Sequence, residues 1–183
     1  TFEHIDVPPT LISFALAPSK ASELITNVFE KSGTKVYWIP MHKDFSKIPD
    51  FKELAEMYRE IHRNILSGNI KFATVVENGG IAATMVKSCL GNGLGFSFDG
   101  DCDCLLSEHY GEILGSLEDP EKLHCTTICV GETTESDFVY DKEKVSSKEA
   151  QDAFCGALDG VFANHATANG KARDVDFDCK GKR

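Results

Sequence analysis

Long hydrophobic runs, excess basic charge and regularly spaced cysteines are the three features that this sequence lacks. No run approaches the roughly 18 apolar residues of a membrane-spanning helix. Lys and Arg number 19 against 29 Asp and Glu, which leaves a net charge of −10, so a long basic groove for nucleic acid is not expected. The seven cysteines are odd in number and scattered, which favours reduced thiols in a cytoplasmic protein over a disulfide framework.

What the sequence does contain is enough apolar material for one folded domain. Hydrophobic residues make up 42% of the 183 residues. The chain begins at Thr1, with neither an initiator Met nor the basic-then-apolar order of a signal peptide, so we expect it to be part of a longer chain. Residues 1–163 are predicted to be the domain. Residues 164–183 are predicted to be a flexible linker, because Val175 and Phe177 are the only large apolar residues there.

Apolar periodicity and turn residues predict strands that alternate with helices and are followed by several strands in succession. The predicted strands are 11–16, 35–39, 70–76 and 94–98, with short ones near 112–114, 126–130 and 138–140. The predicted helices are 19–33, 50–68, 81–90 and 146–162. Asp50 with Glu53 and Ser146 with Glu149 form capping-box pairs at two of the helix starts. The order indicates an α+β fold, a layered mixed β-sheet with covering helices.

The strongest candidate for a binding site is Asn78-Gly79-Gly80, which separates the predicted strand 70–76 from the next helix. Glycine lets the backbone come close to a ligand, and the start of a helix directs unpaired N–H groups and a positive dipole end towards an anion. A phosphate or nucleotide would therefore be bound by main-chain amides. The alternative is a tight strand-to-helix turn that uses glycine only for its conformational freedom.

Other glycine-rich and acidic motifs carry weaker signals. Gly91-Asn92-Gly93-Leu94-Gly95 has the look of a dinucleotide fingerprint, but its glycines end a helix and begin a strand, which is the reverse of the required context. The acidic run Asp99–Asp103 is more typical of a solvated turn than of a calcium site, and His62 is more typical of a packed side chain than of a proton shuttle.

The cysteines and histidines do not form a recognisable reactive or metal-binding pattern. Cys102, Cys104, His124, Cys125 and Cys129 offer soft ligands, but their spacings match no usual zinc knuckle. Cys125 with a distant His lacks an orienting third group. We therefore predict no catalytic residue and no metal ligand within this chain, and a module that contributes a surface.

The order of these segments resembles a known family. The motifs are the Leu54–Ser67 helix, the Ile70–Val76 strand, Asn78-Gly79-Gly80-Ile81-Ala82, Gly91-Asn92-Gly93-Leu94-Gly95, the turn Leu105-Leu106-Ser107-Glu108 and the closing helix Ser147–Phe162. In this order they resemble the C-terminal-type domain of the aminoimidazole ribonucleotide synthetase superfamily, which includes formylglycinamide ribonucleotide amidotransferase. The resemblance runs from about Leu11 to Phe162.

The resemblance implies an enzyme of purine biosynthesis, an ATP-dependent C–N ligase with glutamine amidotransferase activity. It implies ATP and magnesium as cofactors of the full-length enzyme. The partners it implies are two domains of the same polypeptide, an ATP-binding domain and, beyond the linker, a glutaminase domain. The domain is expected to act on a small-molecule substrate and to bind neither nucleic acid nor a membrane. The isolated fragment is expected to be inactive, and no cofactor is assigned to it.

One departure from the family pattern limits which roles carry over. Many relatives end the strand with His-Asp-x-Ser-Asp, where the Asp binds magnesium and the Ser contacts a nucleotide. Here the residues are Thr74-Val75-Val76-Glu77-Asn78, so only the backbone role of Asn78, Gly79 and Gly80 remains. Two alternatives stay open: a small-molecule-binding regulatory module, and the equivalent domain of another ATP-dependent ligase or kinase of the superfamily.

Overall fold

In the computed structural model of the protein, residues 10–43, 48–100 and 102–157 are described, and they form one seven-stranded sheet with helices on both faces. The strands are β1 (Lys35–Ile39), β2 (Ile70–Val75), β3 (Gly95–Phe98), β4 (Ile113–Leu117), β5 (Ile128–Thr134), β6 (Asp137–Tyr140) and β7 (Glu143–Ser146). The helices are α1 (Phe51–Leu66), α2 (Gly80–Leu90), α3 (Cys102–Leu106) and α4 (Ser147–Gly156), with 3-10 turns at Ala21–Glu23 and Pro120–Lys122. The predicted α+β class is confirmed.

The sheet is mixed, and its strand order is β2-β4-β1-β5-β3-β6-β7. Neighbouring strands pair in antiparallel fashion except β3 and β6, which are parallel, with Phe96 opposite Phe138. β1 lies between β4 and β5, where Tyr37 pairs with Gly115 on one side and with Cys129 on the other. The first strand of the described residues is therefore interior to the sheet, and β2 and β7 form its two edges.

Two hydrophobic cores lie on opposite faces of this sheet because successive side chains of a strand point to opposite sides. In β1, Val36 contributes to the larger core beneath α2, whereas Ile39 contributes to the smaller core beneath α1. Members of the larger core are Phe29, Val36, Phe72, Val76, Ile81, Met85, Cys89, Phe96, Leu105, Leu114, Val130 and Phe138. Members of the smaller core are Ile39, Met57, Ile61, Ile70, Leu117 and Leu123.

The helix predicted after Asp50 is confirmed, together with its cap. The Asp50 carboxylate accepts hydrogen bonds from the N–H groups of Lys52 at 2.8 Å and Glu53 at 3.1 Å, which satisfies two of the unpaired donors at the helix start. Gly68 follows the helix with a φ of +77°, the left-handed conformation that commonly ends helices. α1 has 16 residues, and no described helix is long and apolar enough to cross a membrane.

The two segments predicted before β1 are wrong. Leu11–Leu16 forms no strand, and its apolar side chains are exposed, with Leu16 98% exposed. Residues 19–33 form only one 3-10 turn and then an extended segment, in which the carbonyl of Thr26 accepts a hydrogen bond from Ala73 N–H of β2 at 3.3 Å. Bonding to the edge of β2 takes the place of helical bonds, and it brings Phe29 into a stack on Phe72.

The C-terminal elements agree with the sequence in part. Ser146 caps α4, its hydroxyl accepting a hydrogen bond from Glu149 N–H at 3.2 Å, as predicted. Sequence patterns missed β7, which has four exposed residues and no apolar alternation. The predicted apolar stripe of α4 is not buried, since Phe154 is 57% exposed. Residues 158–183, including the predicted linker and the 163/164 boundary, lie outside the described residues.

Candidate functional site

The turn between β2 and α2 is built on two consecutive glycines in the left-handed conformation. Gly79 has a φ of +91° and Gly80 a φ of +73°. The N–H of Gly80 donates to the carbonyl of Glu77 at 3.1 Å, and the N–H of Ala83 donates to the carbonyl of Gly79 at 3.4 Å. The glycines therefore stand where the sequence predicts them, between strand and helix, in a turn that residues with a side chain would adopt only under strain.

The two ends of this turn face different surroundings. Asn78 and Gly79 are exposed, whereas Gly80 is buried. In the described part of the chain no side chain caps the start of α2, so main-chain amides of its first turn are not all used within the protein. These amides and the positive end of the helix dipole are the features that favour an anion at the exposed side of the turn.

Gly80 itself is required by packing against α3. A Cβ atom placed on Gly80 would lie 2.6 Å from the carbonyl oxygens of both Leu105 and Ser107, which is too short for any side chain. These two residues belong to the Leu105-Leu106-Ser107-Glu108 turn that supports the family resemblance. Close approach by protein backbone explains this glycine, so only Asn78 and Gly79 remain open to a ligand.

Thr84 and Glu77 hold the turn in place. The Thr84 hydroxyl accepts a hydrogen bond from Glu77 N–H at 3.0 Å and donates one to the carbonyl of Gly80 at 2.8 Å. The Glu77 carboxylate lies 2.8 Å from the ammonium of Lys87, which follows Thr84 by about one turn of α2. Lys87 therefore offsets the negative charge that Glu77 places beside a prospective anion site.

A buried carboxylate lies behind the same corner, and sequence reasoning missed it. Glu112 is 3% exposed and precedes β4. Its Oε2 accepts a hydrogen bond from Trp38 Nε1 at 2.6 Å and lies 3.2 Å from His109 Nδ1, while its Oε1 lies 2.8 Å from Lys43 Nζ. Three donors from different segments thus surround one anion, which is the arrangement that a buried charge needs. We call these four residues the Glu112 cluster.

Backbone hydrogen bonds connect the Glu112 cluster to the glycine turn. The carbonyl of Glu112 accepts from Val76 N–H at 2.8 Å, just before the turn. His109 Nε2 lies 2.9 Å from the carbonyl of Cys104 in α3, the helix against which Gly80 packs. Both ring nitrogens of His109 therefore face oxygen atoms of the protein. The Tyr58 hydroxyl donates a hydrogen bond to the carbonyl of Gly111 at 2.6 Å. Burial raises the pKa of this hydroxyl, and the nearby charge of Glu112 raises it further.

No local signal points to the Glu112 cluster, because Trp38 and Glu112 are 74 positions apart in sequence. Isolated Trp, Lys, His and Glu residues occur throughout soluble proteins. The only hint in the sequence is an acidic residue directly before an apolar strand, which is too common to be useful. Pairing of β1 with β4 is what brings these residues together.

The other sequence-level candidates are not brought together. Among the residues that the structure describes, no three or more His, Cys, Asp or Glu side chains are placed to hold a metal ion. Burial raises the pKa of the Cys89 thiol to about 12, and burial followed by the charge of Glu60 raises the pKa of Cys125. Gly91–Gly95 does end α2 and lead into β3, which agrees with the rejection of a dinucleotide fingerprint there. His62 is exposed on α1 rather than packed.

The described fold is an α+β domain, a mixed sheet with a glycine turn leading into a covering helix. It is similar to part of T. maritima PurL complexed with AMPPCP, with a TM-score of 0.57 and 13% identity over 71% of this chain and 27% of that chain. PurLQS from Thermotoga maritima gives a TM-score of 0.57 at 15% identity, covering 72% of this chain and 28% of that one. T. maritima PurL complexed with FGAR gives 0.55 at 13% identity, covering 71% and 30%.

These likenesses concern the fold alone. The chain spans less than a third of the PurL chains it matches. No protein-family model matches the sequence, and no curated protein matches it. The fold that the order of the segments predicts is therefore confirmed.

Proposed function

We propose that this chain is a C-terminal-type domain of phosphoribosylformylglycinamidine synthase, the enzyme that converts formylglycinamide ribonucleotide to formylglycinamidine ribonucleotide in de novo purine biosynthesis. Support comes from the fold shared with PurL structures whose names include AMPPCP, ATP, ADP and FGAR. In the proposed reaction ATP phosphorylates the amide oxygen of the substrate. Ammonia released from glutamine by a separate glutaminase domain then displaces the phosphate.

Within that enzyme the domain completes a substrate or nucleotide cleft with a companion ATP-binding domain. The observation that carries this role is the uncapped start of α2, where Asn78 and Gly79 are exposed and both glycines are left-handed. Main-chain amides there meet an anionic group, and no side chain of this domain takes part in the chemistry. Positioning and charge stabilisation of this kind account for most catalysis of phosphoryl transfer.

The residues present do not fit a magnesium site at this corner. Val75 has no ligand atom, and Glu77 is engaged by Lys87 at 2.8 Å. The magnesium of the full-length enzyme is therefore assigned to other domains, and no step of the proposed role passes through it. Residues 1–163 as the domain, 164–183 as the linker to the glutaminase domain and a cytoplasmic location belong to the same proposal.

The role of the turn is tested in the full-length enzyme by two substitutions at the exposed position 78. Asn78→Asp places a negative charge beside the expected anion and should raise KM for the anionic ligand by about tenfold, the effect of one unfavourable charged contact. Asn78→Ala leaves the amides unchanged and should keep KM within about twofold. Equal kinetics of the two variants, at unchanged melting temperature, would remove the turn from the site.

The division of labour between domains has a separate test. Residues 1–183 alone should show no turnover of formylglycinamide ribonucleotide with ATP and either glutamine or ammonia. Measurable turnover by the purified fragment contradicts the proposal. The coding sequence beyond Arg183 discriminates further, because a glutaminase domain with a Cys nucleophile supports this enzyme, whereas an unrelated domain favours the regulatory module or another ligase or kinase.

A further inference from the structure

A cavity lies at the opposite end of β2 from the glycine turn. It is formed where β1 and β2 begin and β4 ends, and its volume is about 660 Å³. We call it the lysine cavity, because Lys31, Lys35 and Lys71 line it together with the apolar side chains of Phe29, Phe72 and Leu117. The volume lies within the range of small-molecule sites, which is roughly 300–1,000 Å³.

The three lysines come from two segments of an acidic protein, Lys31 and Lys35 just before and at the start of β1 and Lys71 in β2. In the part of the chain that the structure describes, neither Lys31 nor Lys35 has a carboxylate within ion-pair distance, although Lys35 stands opposite Glu132 in the β1–β5 register. Three lysines at one concave site, two of them without an ion-pair partner, favour an anionic ligand in a chain of net charge −10.

Two carboxylates also line the lysine cavity, and one of them holds Lys71. Lys71 Nζ lies 2.8 Å from Oε1 of Glu118, with both side chains more than half exposed, so this pair is weak and can open. The hydrogen bond from Lys71 lowers the pKa of Glu118, and the charge of Lys31 adds to this effect, which places both lysines near one carboxylate. Glu30 is the second carboxylate, so three cations face two anions.

Apolar side chains of both cores line the lysine cavity, Phe29 and Phe72 from the larger core and Tyr37 and Leu117 from the smaller one. Phe29 and Phe72 are stacked with ring centroids 3.9 Å apart and are 2% and 3% exposed. Tyr37 and Pro120 extend this wall, and the hydroxyls of Thr34 and Ser116 lie along it. Apolar walls with a few convergent polar groups are the common composition of sites for small organic molecules.

We propose that the lysine cavity binds a small phosphorylated molecule, with its phosphate groups at Lys31, Lys35 and Lys71 and its organic part against Tyr37 and Leu117, which belong to the same face of the sheet. Several ammonium groups around one pocket match the multiple charges of phosphate better than the single charge of a carboxylate. The site is separate from the turn at Asn78–Gly80, since the two lie at opposite ends of β2. It does not depend on the function proposed above.

Isothermal titration calorimetry on residues 1–183 tests this proposal with tripolyphosphate, ATP and uncharged adenosine as probes. Tripolyphosphate and ATP should bind saturably, and more weakly as salt is added, whereas adenosine should bind much more weakly. The double variant Lys31→Gln with Lys35→Gln should bind both phosphates about tenfold more weakly. Glu118→Gln, which releases Lys71 and removes a negative charge, should bind them more tightly.

The matched control is Lys148→Gln, an exposed lysine on α4 outside the cavity, which should bind like the parent chain. Absence of saturable binding by either phosphate overturns the proposal, and so does equal affinity in the double variant with unchanged melting temperature. Tighter binding of an aspartate-rich peptide than of ATP also overturns it. ATP binding that is lost in Asn78→Asp but kept in the lysine double variant assigns the ligand to the glycine turn instead.

Discussion

The indole N–H of Trp38 donates a 2.6 Å hydrogen bond to Oε2 of Glu112, joining the end of β1 to the residue that precedes β4. The carboxylate is almost completely buried, and Lys43 and His109 occupy its remaining acceptor positions. Because the same segment accepts a backbone hydrogen bond from Val76, the Glu112 cluster fixes the end of β2 from which the glycine turn departs.

Removal of this carboxylate is expected to destabilise the protein strongly. Glu112→Ala leaves the ammonium of Lys43, the Trp38 N–H and the imidazole of His109 without their shared acceptor. Loss of one partner from a buried ion pair costs about 3–5 kcal/mol in free energy of unfolding. Urea denaturation measures the change. The exposed control Glu135→Ala should stay within about 0.5 kcal/mol, and a loss below about 1 kcal/mol for Glu112→Ala would contradict the role of the cluster.

Two glycines with similar backbone angles separate conformational strain from packing. Gly80 and Gly93 have φ values of +73° and +66°, but an added Cβ collides with α3 backbone only at Gly80 and meets nothing within 4 Å at Gly93. Gly93→Ala should cost about 1–2 kcal/mol for the left-handed conformation. Gly80→Ala should cost about 1–3 kcal/mol more for overpacking. Equal melting temperatures of the two variants would show that α3 yields at this contact.

The cap of α1 predicts a pH-dependent loss of stability on the acid side. Hydrogen bonds from Glu53 and Lys52 N–H groups lower the pKa of Asp50, so its contribution is present above the unfolded-state pKa and is lost as pH falls through the folded-state value. The melting temperature of Asp50→Ala should lie below that of the parent near pH 7, and the gap should shrink below about pH 4. A gap that is constant over this range would show that the charge of Asp50 is not involved. Asp50→Asn, a good uncharged cap, should restore most of the difference at pH 7.

Thiol reactivity should differ sharply between buried and exposed cysteines. Burial raises the pKa of Cys89 to about 12, so almost no thiolate exists at that residue near neutral pH. Cys129 is exposed on β5. Iodoacetamide labelling of the native protein near pH 8, followed by peptide mass spectrometry, should modify Cys129 and leave Cys89 until the protein is unfolded. Early labelling of Cys89 would indicate that α2 opens readily.

Elements with local signals agreed with the sequence. Asp50 with Glu53 and Ser146 with Glu149 marked the starts of α1 and α4, because capping is decided within four residues. Strand β1 followed from a β-branched and aromatic run that ends at a proline. The position of the glycine turn followed from the breakers between a strand pattern and a helix pattern.

Elements that depend on a distant partner did not agree. The apolar spacing from Ala21 to Phe29 favoured a helix, but the edge of β2 offered backbone hydrogen bonds, and the segment became extended instead. Leu11–Leu16 has the composition of a buried strand, yet in the described part of the chain it lies outside the sheet. The spacing of apolar residues indicates which secondary structure could bury them, but it does not indicate which segment they will pack against.

By itself, the sequence determined the fold class, the bounds of α1 and β2, and the location of Asn78–Gly80, because caps, periodicity and glycine breakers act over a few residues. Only the tertiary structure decided that Gly80 faces α3, that Glu112 gathers Trp38, Lys43 and His109, and that three lysines share one cavity. Each of these depends on strand order, which brings together residues tens of positions apart, and strand order is settled by packing of the whole sheet.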